Sequence, residues 1–566
     1  MKNRVLSELF EQMADALEFK GENRFKVNAY RKVSRVLGDL REDIEHVRKE
    51  GKLLEVPGIG KGTAEKIEEY LKTGRISKFK EVMDGVPPGI VDLLSIQGLG
   101  PKTLALAYKE LGVKSVEDLV RVSKDKTLAS LPGMGEKKLD NILRGIKLHA
   151  ASKERISLGI ALPIVEKIID SLKKYNPTGR MSPAGSLRRM KETIGDIDIL
   201  VESREGEEII DRFTSLPDVQ EVLAKGDTKG SIIVSEGLQV DIRAVPPESF
   251  GSALQYFTGS KEHNVHLREI AKKMGMKISE YGIFKGDKSI GGRAEEDIYE
   301  GLGLELMPPE LREDSGEIEA SGQGSLPRLL EENDIKGDLH VHSAYSDGFN
   351  TIEEVVLAGK RMGYSYLAIC DHTKSAAYAG GLSEERLSKQ MAEIDGLRKR
   401  ISGIRILKGA EVDIKADGSL DLPDSILEKL DVVVAAIHSG FRKNVTERIV
   451  KAMRNPFVRI IAHPTGRLIS KREGYDVDLE RVLEEARKTG TALEINAYYD
   501  RLDLNDGNAR RAKELGVKLA IGTDSHNTEQ LWMMKLGVSV ARRAWLEKSD
   551  VLNASSRLES RKRKSS

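Results

Sequence analysis

The chain has 566 residues, with 91 Lys and Arg against 90 Asp and Glu, a net charge of +1 and one cysteine. That length predicts roughly three to five domains. The near-neutral balance excludes a global basic field, so nucleic acid would have to be held by local patches. Cys370 alone excludes an internal disulfide framework and fits a reducing compartment. No signal-peptide core and no membrane-length apolar run are present, which predicts a cytoplasmic protein that no membrane holds.

The stretch 1–150 reads as amphipathic helices interrupted by three echoes. They are Val56-Pro57-Gly58-Ile59-Gly60, Ile96-Gln97-Gly98-Leu99-Gly100 and Leu131-Pro132-Gly133-Met134-Gly135. Lys61, Lys102, and Lys137 with Lys138 come closely after them. A Gly-x-Gly turn reverses the backbone between helices and aims amide N–H groups and a helix N-terminus at a phosphate. Such contacts hold nucleic acid without reading its sequence. The copies resemble helix-hairpin-helix motifs of DNA repair and replication proteins. Gly58, Gly60, Lys61, Gly98, Gly100 and Lys102 are therefore candidate DNA contacts; three packing turns are the alternative.

Further on, Gly185-Ser186 precedes Gly195-Asp196-Ile197-Asp198 in a β-prone run. Alternation puts Asp196 and Asp198 on one face. Asp241, in Leu238-Gln239-Val240-Asp241-Ile242, offers a third carboxylate from a neighbouring strand. Three acids on one face repel unless cations sit among them, and Mg²⁺ takes oxygen ligands shared with substrate phosphates. Gly185 and Ser186 would meet a triphosphate, with Arg189 as a cationic clamp.

This is the signature of a nucleotidyltransferase palm, and residues 1–312 resemble a family X DNA polymerase, the group of polymerase beta. Asn28-Ala29-Tyr30-Arg31-Lys32, Tyr256-Phe257-Thr258-Gly259-Ser260, Glu296-Asp297-Ile298-Tyr299 and Pro308-Pro309-Glu310-Leu311-Arg312 carry further matches. The resemblance implies a lyase-like helical domain over 1–80, a helical fingers-type subdomain over 81–153, a mixed-sheet palm over 154–250 and a thumb-type subdomain over 251–312. It implies two Mg²⁺ or Mn²⁺ ions in the palm, deoxynucleoside triphosphates, and gapped or nicked double-stranded DNA. By the same resemblance Tyr256 and Phe257 line the sugar pocket and discourage a 2′-OH, Gly259 binds the nucleotide, Asn264 meets the incoming base and Arg268 the template side. Lys66 sits where lyase-active relatives form a Schiff base, which needs a deprotonated amine; by the same resemblance Lys26 and Lys61 supply nearby positive charge or bind the 5′-phosphate. Gly62 replaces one phosphate-binding lysine of that pattern, and a plain surface lysine is the alternative for Lys66.

The Gly/Ser/acidic stretch 313–332 reads as a flexible linker. Beyond it, apolar runs each end in ligand-type residues: His340 and His342, Asp347, His372, Glu411, His438, His463, Asp524 and His526. A barrel presents chemistry in this way, at the C-terminal ends of its strands. Imidazole with carboxylate suits Zn²⁺ or Mn²⁺, and nine ligands predict two to three ions. The set resembles the PHP (polymerase and histidinol phosphatase) domain over about 333–550, implying a distorted (β/α)7 barrel that hydrolyses phosphoesters. The resemblance assigns His340, His342, Glu411 and Asp524 to one ion. Glu411 bridges to a second held by His438 and His463, and Asp347, His372 and His526 hold a third. Asn496 reads either as a supporting residue or as a turn former. The last segment, 551–566, is a basic tail.

The combination resembles bacterial and archaeal polymerase X proteins across nearly the whole chain. It implies a gap-filling repair polymerase with a Mn²⁺-dependent 3′-5′ exonuclease, and AP endonuclease or 3′-phosphatase activity besides. Two alternatives stand: a polymerase whose barrel is a small-molecule phosphatase or a structural module, and a DNA-binding scaffold with degenerate sites. No sustained heptad pattern occurs, which predicts a monomer.

Overall fold

The computed structural model describes residues 2–556 apart from positions 41–43, 57, 88, 91–92, 94–98, 100, 126, 133, 135–138, 140–141, 144–154, 177–178, 235–236, 470–471 and 473. The chain divides into two compact units, one built on Met1–Glu154 and the other on most of the remaining residues.

The first unit is helical. Helix Lys2–Phe19 carries Leu6, Phe10, Met13 and Leu17 at the spacing of one helical face. Leu6 and Phe10 enter a core with Leu37, Ile44 and Ile67. Met13 and Leu17 enter another with Leu93, Leu104 and Leu119. One helix thus pins two small domains together.

The second unit begins with the palm. Strands Met181–Pro183, Asp196–Glu202 and Gln239–Val245 are successive neighbours in a five-stranded sheet. Helices Phe250–Thr258 and Lys261–Lys273 lead into the antiparallel sheet Met276–Ser279, Gly282–Lys285 and Lys288–Gly291.

Seven parallel strands come next in sequential order: Gly337–Val341, Tyr366–Ile369, Arg405–Asp413, Val432–Ala436, Val458–Ile461, Ala492–Asn496 and Leu519–Gly522. A helix succeeds each, the third only Asp424–Leu427. Thr351, Ser383, Asp478 and Asn505 cap four of them by accepting backbone N–H bonds, as N-cap residues do. Val432, Val434 and Ala436 alternate into one core with Tyr366, Ala368 and Cys370. The seventh strand closes on the first through His342 N to Ser525 O (2.8 Å) and Asp524 N to His340 O (2.9 Å). This is the expected seven-stranded barrel, and Cys370 is a packing residue within it.

The expected flexible linker is a correction. Glu317–Gly322 is a helix, and Ile318 packs into the thumb core with Leu267, Ile283 and Tyr299. Glu317 is fully buried and 2.7 Å from His263 Nδ1. Leu330 N donates to Leu546 O at 2.9 Å and joins the barrel. The Gly and Ser content reflects turns, while two long-range partners fix the segment. The tail also begins later than expected, because Asn553 is buried and bonds to Gly337 O and Ile521; residues 557–566 lie outside the described ones.

Arg312, wholly buried, depends on Glu295. Burial opposes the Glu295 charge, but Arg312 and Arg188 hold its carboxyl down to about 2. The lowered value makes this contribution complete above roughly pH 4.3, the ordinary carboxyl value, and lost as pH falls through about 2. Glu295→Ala leaves a buried guanidinium unpaired, and we expect denaturant unfolding to read a loss of about 3–5 kcal/mol. A loss below about 1 kcal/mol, the range of exposed ion pairs, would contradict this account.

Candidate active sites

The palm brings its three acids together. Asp196 and Asp198 alternate on one strand, with Asp241 on the neighbouring one. Burial and then the Asp241 charge raise the Asp196 carboxyl. Burial, Asp196 and Asp241 push Asp198 up to about 7. Gly185 has φ +58, and a Cβ there would lie 2.3 Å from Asp198 Oδ2. Only glycine lets this turn approach the carboxylates so closely. Ser186 is the next residue in the short helix Gly185–Arg188, beside the acids. Like charges crowded in this way fit divalent cations.

Long-range partners change several expected roles. Arg189 is not a free clamp: its Nε bonds to Glu313 Oε1 (3.1 Å) and its Nη1 to Thr258 O (2.5 Å). The Asn264 amide donates to Tyr256 O (2.7 Å) and its oxygen accepts from Gln255 (2.7 Å), so it braces the Tyr256 turn. Tyr256 packs edge-on to Phe257, and Arg243 lies over the Phe257 ring at 4.4 Å. Arg243 also draws down the Asp198 carboxyl, a role its sequence position did not signal. Gly259 N bonds to Gln255 O and ends that helix. Arg268 is exposed and lines an open cleft with Tyr256, Lys272 and Lys277.

In the first unit Gly58 has φ +96 and Gly60 caps helix Lys61–Thr73, so the first hairpin forms as expected. Gly98, Gly100, Gly133 and Gly135, with Lys137 and Lys138, lie outside the described residues. Lys102 falls on the first turn of helix Pro101–Leu111. Lys61 is exposed, whereas Lys66 Nζ donates to Gly62 O at 2.7 Å. Lys26 Nζ pairs with Glu22 at 3.1 Å.

The barrel gathers all nine expected ligands. Three groups lie within mutual reach: His340, His342 and Asp524; His372, Glu411 and His438; and His342, Asp347, His372 and His526. His463 Nε2 lies 3.0 Å from Glu411 Oε1, and His438 Nε2 3.2 Å from the same oxygen. Two imidazoles lie between the groups. His342 turns Nε2 to Asp524 (3.0 Å) and Nδ1 toward Asp347 (3.7 Å). His372 turns Nδ1 to Glu411 (2.8 Å) and Nε2 toward Asp347 (3.6 Å).

Burial opposes the Glu411 charge, yet His372, His438 and His340 hold its carboxyl well below the usual range. Burial likewise opposes a charged His438, but Glu411 and Asp413 push it up to about 10. His342, buried and beside His526, falls to about 3. His340 Nε2 and His342 Nδ1 are buried without a hydrogen-bond partner among the described residues. Buried polar atoms are nearly always partnered, and lone pairs facing one cleft fit metal ions. His463 and Asp524 have φ of +27 and +54, in the left-handed region. Such strain costs about 1–3 kcal/mol per residue and clusters at functional sites.

Supporting carboxylates escaped the sequence reading. Glu494 takes His340 Nδ1 (2.7 Å) and His463 N (2.8 Å), and Asp413 takes His438 Nδ1 (3.1 Å). Such partners orient ligand imidazoles. Each sits in a strand beside a residue already singled out, at Glu411 and Asn496, and that proximity was the available signal. Asn496 donates to Asp524 (3.0 Å) and Glu494 (3.1 Å), consistent with the supporting role.

A carboxylate-bearing palm with its thumb, behind helix-hairpin-helix domains and ahead of a PHP barrel, defines a family X polymerase of the PHP-fused class. Matches to family models agree: "Helix-hairpin-helix domain" at 1–76, "SAM-like Helix-hairpin-helix tandem" at 90–148, "DNA polymerase beta thumb" at 253–313 and "PHP domain" at 338–497. The chain is 41% identical over 563 residues, 98% of each protein, to DNA polymerase/3′-5′ exonuclease PolX of Bacillus subtilis, and it belongs to the PolX family. It is also 32% identical over 230 residues to a probable phosphatase of Thermoanaerobacter sp., covering 38% of this chain and 89% of that protein. DNA polymerase lambda of Rattus norvegicus is 27% identical over 342 residues, 55% of this chain and 56% of that protein. No helix among the described residues is long and apolar enough to cross a membrane.

A raised Asp198 holds a proton that an arriving cation must displace. We expect calorimetry at pH 6.5, in buffers of differing ionisation enthalpy, to show Mg²⁺ binding release more protons from the wild type than from Asp198→Asn. Equal release would contradict the crowded-acid account.

Proposed function

We propose that this protein fills short gaps in DNA by adding deoxynucleotides to a 3′-OH, and that its barrel trims 3′ ends as a 3′-5′ exonuclease. The observation that carries this reading is two separate acid-lined centres in a chain of the PolX family: Asp196, Asp198 and Asp241 in the palm, and the nine-ligand cluster in the barrel. Divalent cations supply charge neutralisation at phosphate oxygens and activation of the attacking oxygen. In the palm the three aspartates would hold two Mg²⁺ or Mn²⁺, with Gly185 and Ser186 offering amide and hydroxyl to the triphosphate. In the barrel, His340, His342, Asp347, His372, Glu411, His438, His463, Asp524 and His526 would hold two to three Mn²⁺ or Zn²⁺. Arg501, 3.5 Å from Asp524, offers a cation to a substrate phosphate. The hairpin at Gly58, Gly60 and Lys61 would hold the DNA backbone. A cytoplasmic monomer acting on gapped or nicked duplexes fits this reading.

A probable phosphatase among the relatives gives the barrel a second reading, as a hydrolase of small phosphomonoesters. One observation favours a nucleic-acid end instead. Phe349 is 82% exposed on a backbone fixed by its N–H to His526 O (2.7 Å), and Tyr498 lies edge-on to the His526 ring. An exposed aromatic beside a phosphate site offers a base a face to stack on.

The test is primer extension and shortening on one end-labelled gapped duplex with Mn²⁺. We expect Asp196→Ala or Asp198→Ala to abolish extension and keep shortening, and His340→Ala or His342→Ala to do the reverse. A single palm substitution that abolished both would overturn the two-centre reading. Turnover of a small phosphomonoester without shortening of single-stranded DNA would favour the phosphatase.

A further inference from the structure

Arg543 ends the last helix of the barrel, Met534–Arg543, yet its side chain serves the palm. It is 6% exposed. Its Nη1 donates to Arg189 O at 2.7 Å and to Glu313 Oε1 at 3.0 Å, while its Nε bonds to Asp506 Oδ2 at 2.8 Å. Burial opposes its charge, but Asp506 and Glu313 hold the guanidinium firmly protonated.

Arg189 is the residue on which both walls of the nucleotide site converge. Its backbone closes the turn that begins at Gly185, through Arg189 N to Gly185 O. Its guanidinium reaches Thr258 O, next to Gly259, and Glu313. The turn beside Asp198 and the Thr258-Gly259 corner are therefore tied through one arginine. That arginine is held in turn, at its carbonyl and through Glu313, by a barrel side chain.

We propose that Arg543 is a positioning residue for the nucleotide site of the palm, so that the barrel completes the polymerase as well as carrying its own hydrolytic centre. This rests on the reading of Gly185 and Ser186 as the triphosphate turn. Losing Arg543 leaves Glu313 and the Arg189 carbonyl without their shared donor. A loosened turn would hold the bound nucleotide less tightly in ground state and transition state alike, which raises KM and leaves kcat little changed.

The experiment uses the full-length protein and measures kcat and KM for dNTP in single-nucleotide gap filling, shortening of a single-stranded 3′ end, and Tm. Arg543→Ala should raise the KM for dNTP at least about 10-fold, with kcat and 3′-end shortening within about 3-fold of wild type. Arg543→Lys should recover much of the KM, because the charge toward Glu313 and Asp506 returns without the planar fork. Lys535→Ala breaks the exposed pair with Glu166 across the same seam (2.9 Å) and should leave KM unchanged. An unchanged KM in Arg543→Ala overturns the inference, as does an equal rise in Lys535→Ala or a parallel fall in both activities. If Arg543→Ala does not fold, Glu313→Gln takes its place: a raised KM supports the inference and an unchanged one overturns it. A wild type that extends no primer defeats the palm reading itself; one that extends normally while Arg543→Ala matches it defeats this inference alone.

Discussion

Glu411 is the carboxylate on which the barrel centre turns. Its Oε1 faces His438 and His463, its Oε2 faces His372, and the residue is almost wholly buried. An isolated carboxylate so placed would take up a proton rather than bear the cost of desolvation. The surrounding imidazoles reverse that outcome, and Glu411 is held well below its usual pKa. The same residue sits inside the longest barrel strand, Arg405–Asp413, so the strand and the charge cluster constrain one another. Glu494 and Asp413 then fix the rings that face it. The result is a preorganised set of donors with open lone pairs, the arrangement that metal-assisted phosphoester chemistry requires.

The palm solves a different problem with the same means. Its acids repel, and among the described residues no imidazole lies beside them to relieve it. Burial, and then that repulsion, hold the Asp198 proton up to about 7, where the barrel's Glu411 is held well below its usual range. One centre is built around mixed charges and the other around like charges. Cations therefore complete the first and neutralise the second, which fits nitrogen-rich ligation in the barrel and oxygen ligation in the palm.

His372, His438, His463 and Asp524 were legible because each comes at the end of an apolar run, and strand plus strand-end is a local pattern. Asp196 and Asp198 were legible for the same reason, since alternation within one strand decides which face they share. The features that escaped depend on partners far along the chain. Arg189 looks like a free cation until Glu313 and Arg543 are beside it. Asn264 looks available to a base until its amide is seen bonded to Tyr256 O. The 313–332 stretch has linker composition, yet Ile318 and Glu317 find their places against Tyr299 and His263. Composition reports the turns in that segment and is blind to the two anchors.

Those anchors change how the two chemistries relate. A flexible tether would let palm and barrel act as independent enzymes on one chain. Instead, Arg467 of the loop after His463 pairs with Glu192, four residues before Asp196, and Arg542 pairs with Glu310 at the thumb's end. The Arg467 guanidinium also holds Leu502 O, beside Asp503, whose carboxylate takes Thr465 N and Gly466 N of the same loop. Short runs of chain thus lead from a barrel ligand to a palm carboxylate through one partly buried ion pair. Pairs withdrawn from water in this way are weak sources of net stability, because desolvation offsets their attraction. Several such pairs tie palm, thumb and barrel together at positions close to the reacting groups: Glu192 before Asp196, Arg467 after His463, and Arg543 against the carbonyl of Arg189.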